Sequence, residues 1–131
     1  MDVDAFSQVL LIDDNPVQLK VREAVLRNAG FAVATAATGE SALAAVRVLG
    51  DRIGVVVTDH VMPVSSGAEF VRQLRAQNDW VPVVVLSGMT DALNEYEGMH
   101  VQFRSKPVPP PELIALVRAG LAESLRQRGM A

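Results

Sequence analysis

The stretch VVVTDHVMPVSSG, residues 55–67, decides how the rest of the chain is read. Three valines and Thr58 form an apolar run without alternation, the pattern of a strand covered on both faces. The run ends on a carboxylate, Asp59, and a loop with Pro63 and Gly67 follows. A surface turn accounts for the proline and the glycine. It does not account for an acid at the end of the most apolar strand, unless partners for that acid are found elsewhere.

Outward from this strand, four further apolar runs recur: residues 9–12, 31–36, 81–86 and 101–103, beside the central run at 53–58. Segments with helical spacing separate them. Val17, Val21, Ala24 and Val25 form one apolar stripe, and Ala42, Leu43, Val46 and Leu49 a second. Phe70, Val71 and Leu74 form a third, and Leu113, Ile114, Val117, Leu121 and Leu125 a long last one. Boundary residues agree: Asn15 with Pro16 starts the first helix and Gly30 closes it. Thr38 or Ser41 starts the second, with Gly50 at its end, and the last of Pro109, Pro110 and Pro111 occupies the first turn of the final helix. Residues 90–98 hold few apolar side chains and predict a short, weakly anchored helix. Strand and helix alternate five times, which predicts a parallel sheet with helices on both faces.

The bulk composition fits one domain spanning residues 1–131, with a core over about 7–126 and a frayed tail from Arg126. Half of the 131 residues are apolar, enough for a proper core. The absence of cysteine excludes thiol chemistry and thiolate zinc sites. A net charge of -3 argues against a broad nucleic-acid footprint. No apolar run approaches the ~20 residues of a membrane span. The acidic start, MDVDAFSQ, is unlike a secretory signal, so a cytoplasmic location is expected.

In a parallel sheet the strand ends share one edge, where ligands bind. Asp13 and Asp14 follow the first strand, Asp59 the third, Ser87 and Gly88 the fourth, and Ser105, Lys106 and Pro107 the fifth. Three carboxylates in one place raise each other's pKa, and one lysine does not neutralise them. A hard divalent cation does, and an all-oxygen site suits magnesium, with manganese as the substitute.

This set, Asp13-Asp14, Asp59 followed by Met62-Pro63 and Gly67, Ser87-Gly88 and Lys106-Pro107, resembles the receiver domain of two-component response regulators. The resemblance implies a flavodoxin-like, doubly wound five-stranded sheet in order 2-1-3-4-5 with five helices. It implies that Asp59 accepts a phosphoryl group from a phosphohistidine on a sensor histidine kinase or a histidine phosphotransfer protein. Asp14 would bind magnesium directly and Asp13 largely through water, with an Asp59 oxygen and the Val61 backbone carbonyl completing the protein ligands. Lys106 and Ser87 would hold the phosphoryl group, and Phe103 would rotate with Ser87 as the switch. The expected product is a signalling protein rather than an enzyme, a monomer or weak homodimer. Lacking an output domain in this chain, it would act on a downstream protein target or relay phosphate.

Two features depart from that pattern. The Ser87–Lys106 spacing is short, which predicts a reduced fourth helix and an altered output face. Val61 and Met89, two residues after Asp59 and Ser87, are apolar and unable to orient an attacking water, which predicts a slowly hydrolysing aspartyl phosphate. His60 reads as a neighbour of the site, His100 as a loop residue and Trp80 as a partly buried aromatic at a strand start. Two alternatives compete. An aspartyl-nucleophile phosphohydrolase would place Asp-x-Asp after one strand and carry a cap segment, whereas here the pair Asp13-Asp14 is contiguous, Asp59 is followed by His60 and Val61, and no segment is available as a cap; a receiver lookalike working without phosphate would lack some of the site residues.

Overall fold

All seven residues of β3 (Ile53–Asp59) are buried, and Val55, Val56 and Val57 expose no surface. The computed structural model describes residues 3–62 and 66–130, so Pro63 in the expected turn after β3 lies outside the described residues. Around β3 stand β1 (Gln8–Ile12), β2 (Ala32–Ala36), β4 (Val83–Ser87) and β5 (Gln102–Ser105), all parallel, in the order 2-1-3-4-5. That is the order the resemblance implied.

Alternate residues of the central strands feed two separate cores. Leu10, Ile12, Val56, Val83 and Val85 meet α2 (Gly39–Leu49) and α3 (Gly67–Gln77) through Ala42, Val46, Phe70, Val71 and Leu74. Val9, Leu11, Val55, Val57, Val84 and Leu86 meet α1 (Pro16–Asn28) and α4 (Pro110–Gln127) through Leu26, Leu113 and Val117. This two-sided burial is why β1, β3 and β4 read as unbroken apolar runs.

The helix starts follow their sequence signals. Asn15 accepts from the amides of Val17 and Gln18, and Thr38 with Ser41 forms a reciprocal capping box. Three expectations need correction. The described residues contain four α-helices rather than five: residues 90–96 form a 3-10 segment, and of residues 92–96 only Ala92 and Tyr96 are buried. On α1 the apolar stripe is misplaced in part: Val25 packs against the core, but Val17 and Val21 are 71% and 57% exposed, while Leu19, Arg22 and Leu26, at helical spacing, turn inward. The last helix begins at Pro110 with Pro109 as its cap, and Pro111 occupies its first turn as expected. Its end is not frayed: Arg128 donates to the carbonyls of Asp51 and Ile53 and lies 4.6 Å and 4.8 Å from the Phe6 and Trp80 ring centroids.

The missing fourth helix leaves the segment between β4 and β5 to be held by other means. Arg75, reaching across from α3, donates to the carbonyls of Met99, His100, Val81 and Asn78. His100 takes a positive φ of 56° in that turn, as suits the loop position expected of it.

Candidate functional site

The register that sets Ile12 of β1 against Thr58 of β3 carries the residues after them to the same level of the sheet edge. Asp13, Asp14 and Asp59 therefore converge, with one oxygen from each lying within 4.8 Å of the others. Their surroundings differ. Asp13 is fully buried, and both of its oxygens are engaged: Oδ1 accepts from the Asn15 amide at 2.9 Å and Oδ2 from Arg22 Nη1 at 2.8 Å. Burial pushes the Asp13 carboxyl above its ordinary range and Asp59 adds to this, while the Asn15 amide, Arg22 and Lys106 pull the other way. Asp14 is half-buried and has neither a hydrogen bond nor an ion pair among the described residues.

Asp59 is 6% exposed, and Lys106 Nζ lies 2.5 Å from its Oδ1. The approach is an ion pair without hydrogen-bond geometry, so this buried oxygen accepts no hydrogen bond among the described residues. Lys106 reaches the site because its amide donates to the Ser87 carbonyl at 2.8 Å, extending the β4–β5 pairing past Ser105. The three carboxylates thus face two resident cations. The donor set is hard oxygen throughout, with Asp14 free and an Asp59 oxygen under-satisfied, and this fits a magnesium ion better than a soft metal.

Ser87 is buried, and its hydroxyl is engaged by the chain that follows it. Its Oγ accepts from the Met89 amide at 2.9 Å and donates to the Met89 carbonyl at 3.3 Å, a local turn that starts the 3-10 segment. Val61 and Met89 stand 55% and 47% exposed beside the site.

Comparison with known proteins decides the family. The model of the response regulator receiver domain matches residues 9–118. The chain belongs to the response regulator receiver family. The receiver is 37% identical over 117 residues to the DNA-binding response regulator MtrA of Mycolicibacterium smegmatis, covering 87% of this chain and 50% of that protein. It is 37% identical over 125 residues to the transcriptional regulatory protein PrrA of Mycobacterium bovis, covering 93% of this chain and 51% of that one. The receiver spans about half the length of the curated relatives it matches. Among solved structures it resembles the chemotaxis protein CheY4 of Vibrio cholerae, with a TM-score of 0.81 and 30% identity over 89% of this chain and all of that one. Receiver domains are signalling domains of two-component phosphorelays. No helix of the described residues is long and apolar enough to cross a membrane.

Some of the residues that shape the receiver's site were invisible in its sequence, Arg22 and Tyr96 among them. His60, expected as a neighbour of the site, is buried next to Asp59, and its Nδ1 is 2.6 Å from the Tyr96 hydroxyl. Its Nε2 lies 3.2 Å from Glu95 Oε2. Burial holds the Tyr96 phenol above its ordinary pKa, and Glu95 and Asp59 add to this, so Tyr96 keeps its proton. A neutral imidazole protonated on Nε2 satisfies both contacts: Tyr96 donates to Nδ1 and Nε2 donates to Glu95. Tyr96 also stands 6.0 Å from the ring of the half-buried Phe103. Gly67 makes this arrangement possible: a Cβ there would lie 2.6 Å from the Asp59 carbonyl and 2.7 Å from the Tyr96 hydroxyl. Its role is space, not the turn conformation expected of it.

Proposed function

We propose that the chain is a single receiver domain over residues 1–131, core about 7–126, in which Asp59 accepts a phosphoryl group from a phosphohistidine on a kinase or phosphotransfer partner. The observation that carries this reading is the convergence of Asp13, Asp14 and Asp59 with the Lys106 ammonium on Asp59. An Asp59 oxygen attacks phosphorus as the phosphorus–nitrogen bond of the donor breaks, and the departing imidazole keeps the electron pair and takes a proton. Asp14, Asp59, the Val61 carbonyl and, more remotely, Asp13 would hold magnesium, which supplies charge neutralisation for the transferring group. Lys106 already lies where the incoming negative charge must be met.

Phosphorylation would set up a competition for Ser87. Its hydroxyl now serves Met89, and the new phosphoryl oxygens are stronger acceptors. Release of the Met89 amide loosens the start of the 3-10 segment. Phe103 would follow Ser87 as the aromatic partner of the switch, biasing one of two arrangements. The output is a protein contact or a phosphate relay, and the protein acts in the cytoplasm. The exposed apolar side chains of Val61 and Met89, two residues after Asp59 and Ser87, support docking of a protein partner over the site.

The test is incubation with magnesium and a small phosphodonor, followed by intact mass and peptide mapping. One phosphoryl group per chain on Asp59, absent in Asp59→Asn, is the expected result. Modification that survives Asp59→Asn, or release of many phosphates per chain, would overturn the reading.

A further inference from the structure

Arg22 is the part of the acidic pocket with no assigned role. It projects from α1 and its side chain is 13% exposed. Its guanidinium is committed to a single carboxylate, the fully buried Asp13, at 2.8 Å. That carboxylate is one of three whose oxygens lie within 4.8 Å of each other. Lys106 offsets Asp59 and Arg22 offsets Asp13, so only Asp14 lacks a cation among the described residues.

We infer that Arg22 is a resident counter-cation that competes electrostatically with the divalent ion for the pocket and weakens its binding. The inference rests on the reading that the pocket takes magnesium. A burial argument leads to it. Three carboxylates, two of them buried, are costly to hold together without positive charge. Arg22 supplies part of that charge permanently, from the helix side, and Lys106 supplies another part at Asp59, leaving Asp14 as the acid without a cation among the described residues. A divalent ion entering the pocket gains less than it would beside three uncompensated acids, because it also meets a fixed guanidinium held a few ångströms away. Arg22 is thus a positioning residue: it touches Asp13, not the reacting atoms.

The test uses the intact chain and magnesium ion alone, titrated into metal-free protein by calorimetry. Arg22→Gln is expected to bind magnesium roughly tenfold more tightly, the size of effect that a unit charge near a divalent ion has under near-aqueous screening. Arg22→Met, long but uncharged, should behave like Arg22→Gln, and Arg22→Lys should return toward wild type. Lys20→Gln removes a charge from the same helix without the Asp13 contact, and should change the affinity less than about twofold. If loss of the Asp13 ion pair leaves a variant too unstable to titrate, its melting temperature against magnesium concentration gives the same constant. Unchanged or weaker binding in Arg22→Gln and Arg22→Met overturns the inference while leaving the magnesium site intact. Failure of wild type to bind magnesium overturns the site reading itself, and this inference with it.

Discussion

Replacing Arg75 by methionine should cost the protein about 3 kcal/mol of stability, a figure that follows from what its guanidinium holds. Nε donates to the Met99 carbonyl at 2.8 Å, Nη2 to His100 at 3.0 Å, and Nη1 to Val81 at 2.8 Å and more weakly to Asn78 at 3.3 Å. Hydrogen bonds from a charged donor contribute about 1.5–3 kcal/mol each when fully buried. This guanidinium is only partly buried, and water recovers some of the acceptors once it is gone, so about 1 kcal/mol for each of the three good bonds is a fair sum. In a chain of this length each kcal/mol moves the melting temperature by about 4 °C, which predicts a drop of roughly 10 °C. Urea and thermal melts measure it. Hydrogen exchange should show the loss concentrated around residues 89–102, where Arg75 stands in for the absent fourth helix. Arg75→Lys keeps the charge but not the fork of donors, and should recover less than half of the loss. A loss below about 1 kcal/mol for Arg75→Met would show that water serves these carbonyls equally well and would refute the reasoning.

Tyr96→Phe keeps the ring against His60 and Phe103 but strands the His60 Nδ1 in the core, so denaturant melts should show a loss of about 1–3 kcal/mol. The raised carboxyl of Asp13 fixes the sign of one pH effect. Because the folded state holds that proton to higher pH than the unfolded chain does, Asp13's contribution to stability is greatest in acid and is lost as pH rises from the unfolded carboxylate range through the raised folded value. In chelator, Asp13→Asn should therefore flatten the decline of stability across that window, and an unchanged slope in pH-dependent melts would contradict it. Val61→Asn with Met89→Glu places polar groups able to hold water at two exposed positions beside Asp59, and should shorten the aspartyl phosphate's lifetime severalfold, read as loss of the phosphorylated mass over time.

Much of this architecture was legible from local patterns. Unbroken valine runs announce strands buried on two faces, and the residue following each run lands on the sheet edge, so Asp13, Asp14, Asp59, Ser87 and Lys106 could be placed without coordinates. The short Ser87–Lys106 interval likewise foretold a reduced fourth helix. The failures share one cause. Arg22, Arg75 and Arg128 look like surface arginines in a linear reading, because their partners are carbonyls and a carboxylate brought near only by the fold. The α1 stripe failed differently, and only in part: Val25 packs inward, but Val17 and Val21 satisfy helical periodicity as well as Leu19, Arg22 and Leu26 do, and hydrophobicity alone chose the wrong pair. His60 and Tyr96 lie 36 positions apart in sequence, and no local rule pairs them.

The stacking of Arg128 against Trp80 and Phe6 has an optical consequence. The protein has one tryptophan, and it lies just before β4, at the sheet edge opposite the acids. Its emission therefore reports the seating of the C-terminal helix rather than events at Asp59. Shortening the chain after Gln127 should change the fluorescence while leaving phosphorylation intact, and loading the acidic pocket should do the reverse. One intrinsic chromophore thus separates unfastening at one end of the molecule from chemistry at the other, and phosphorylation is best followed by mass.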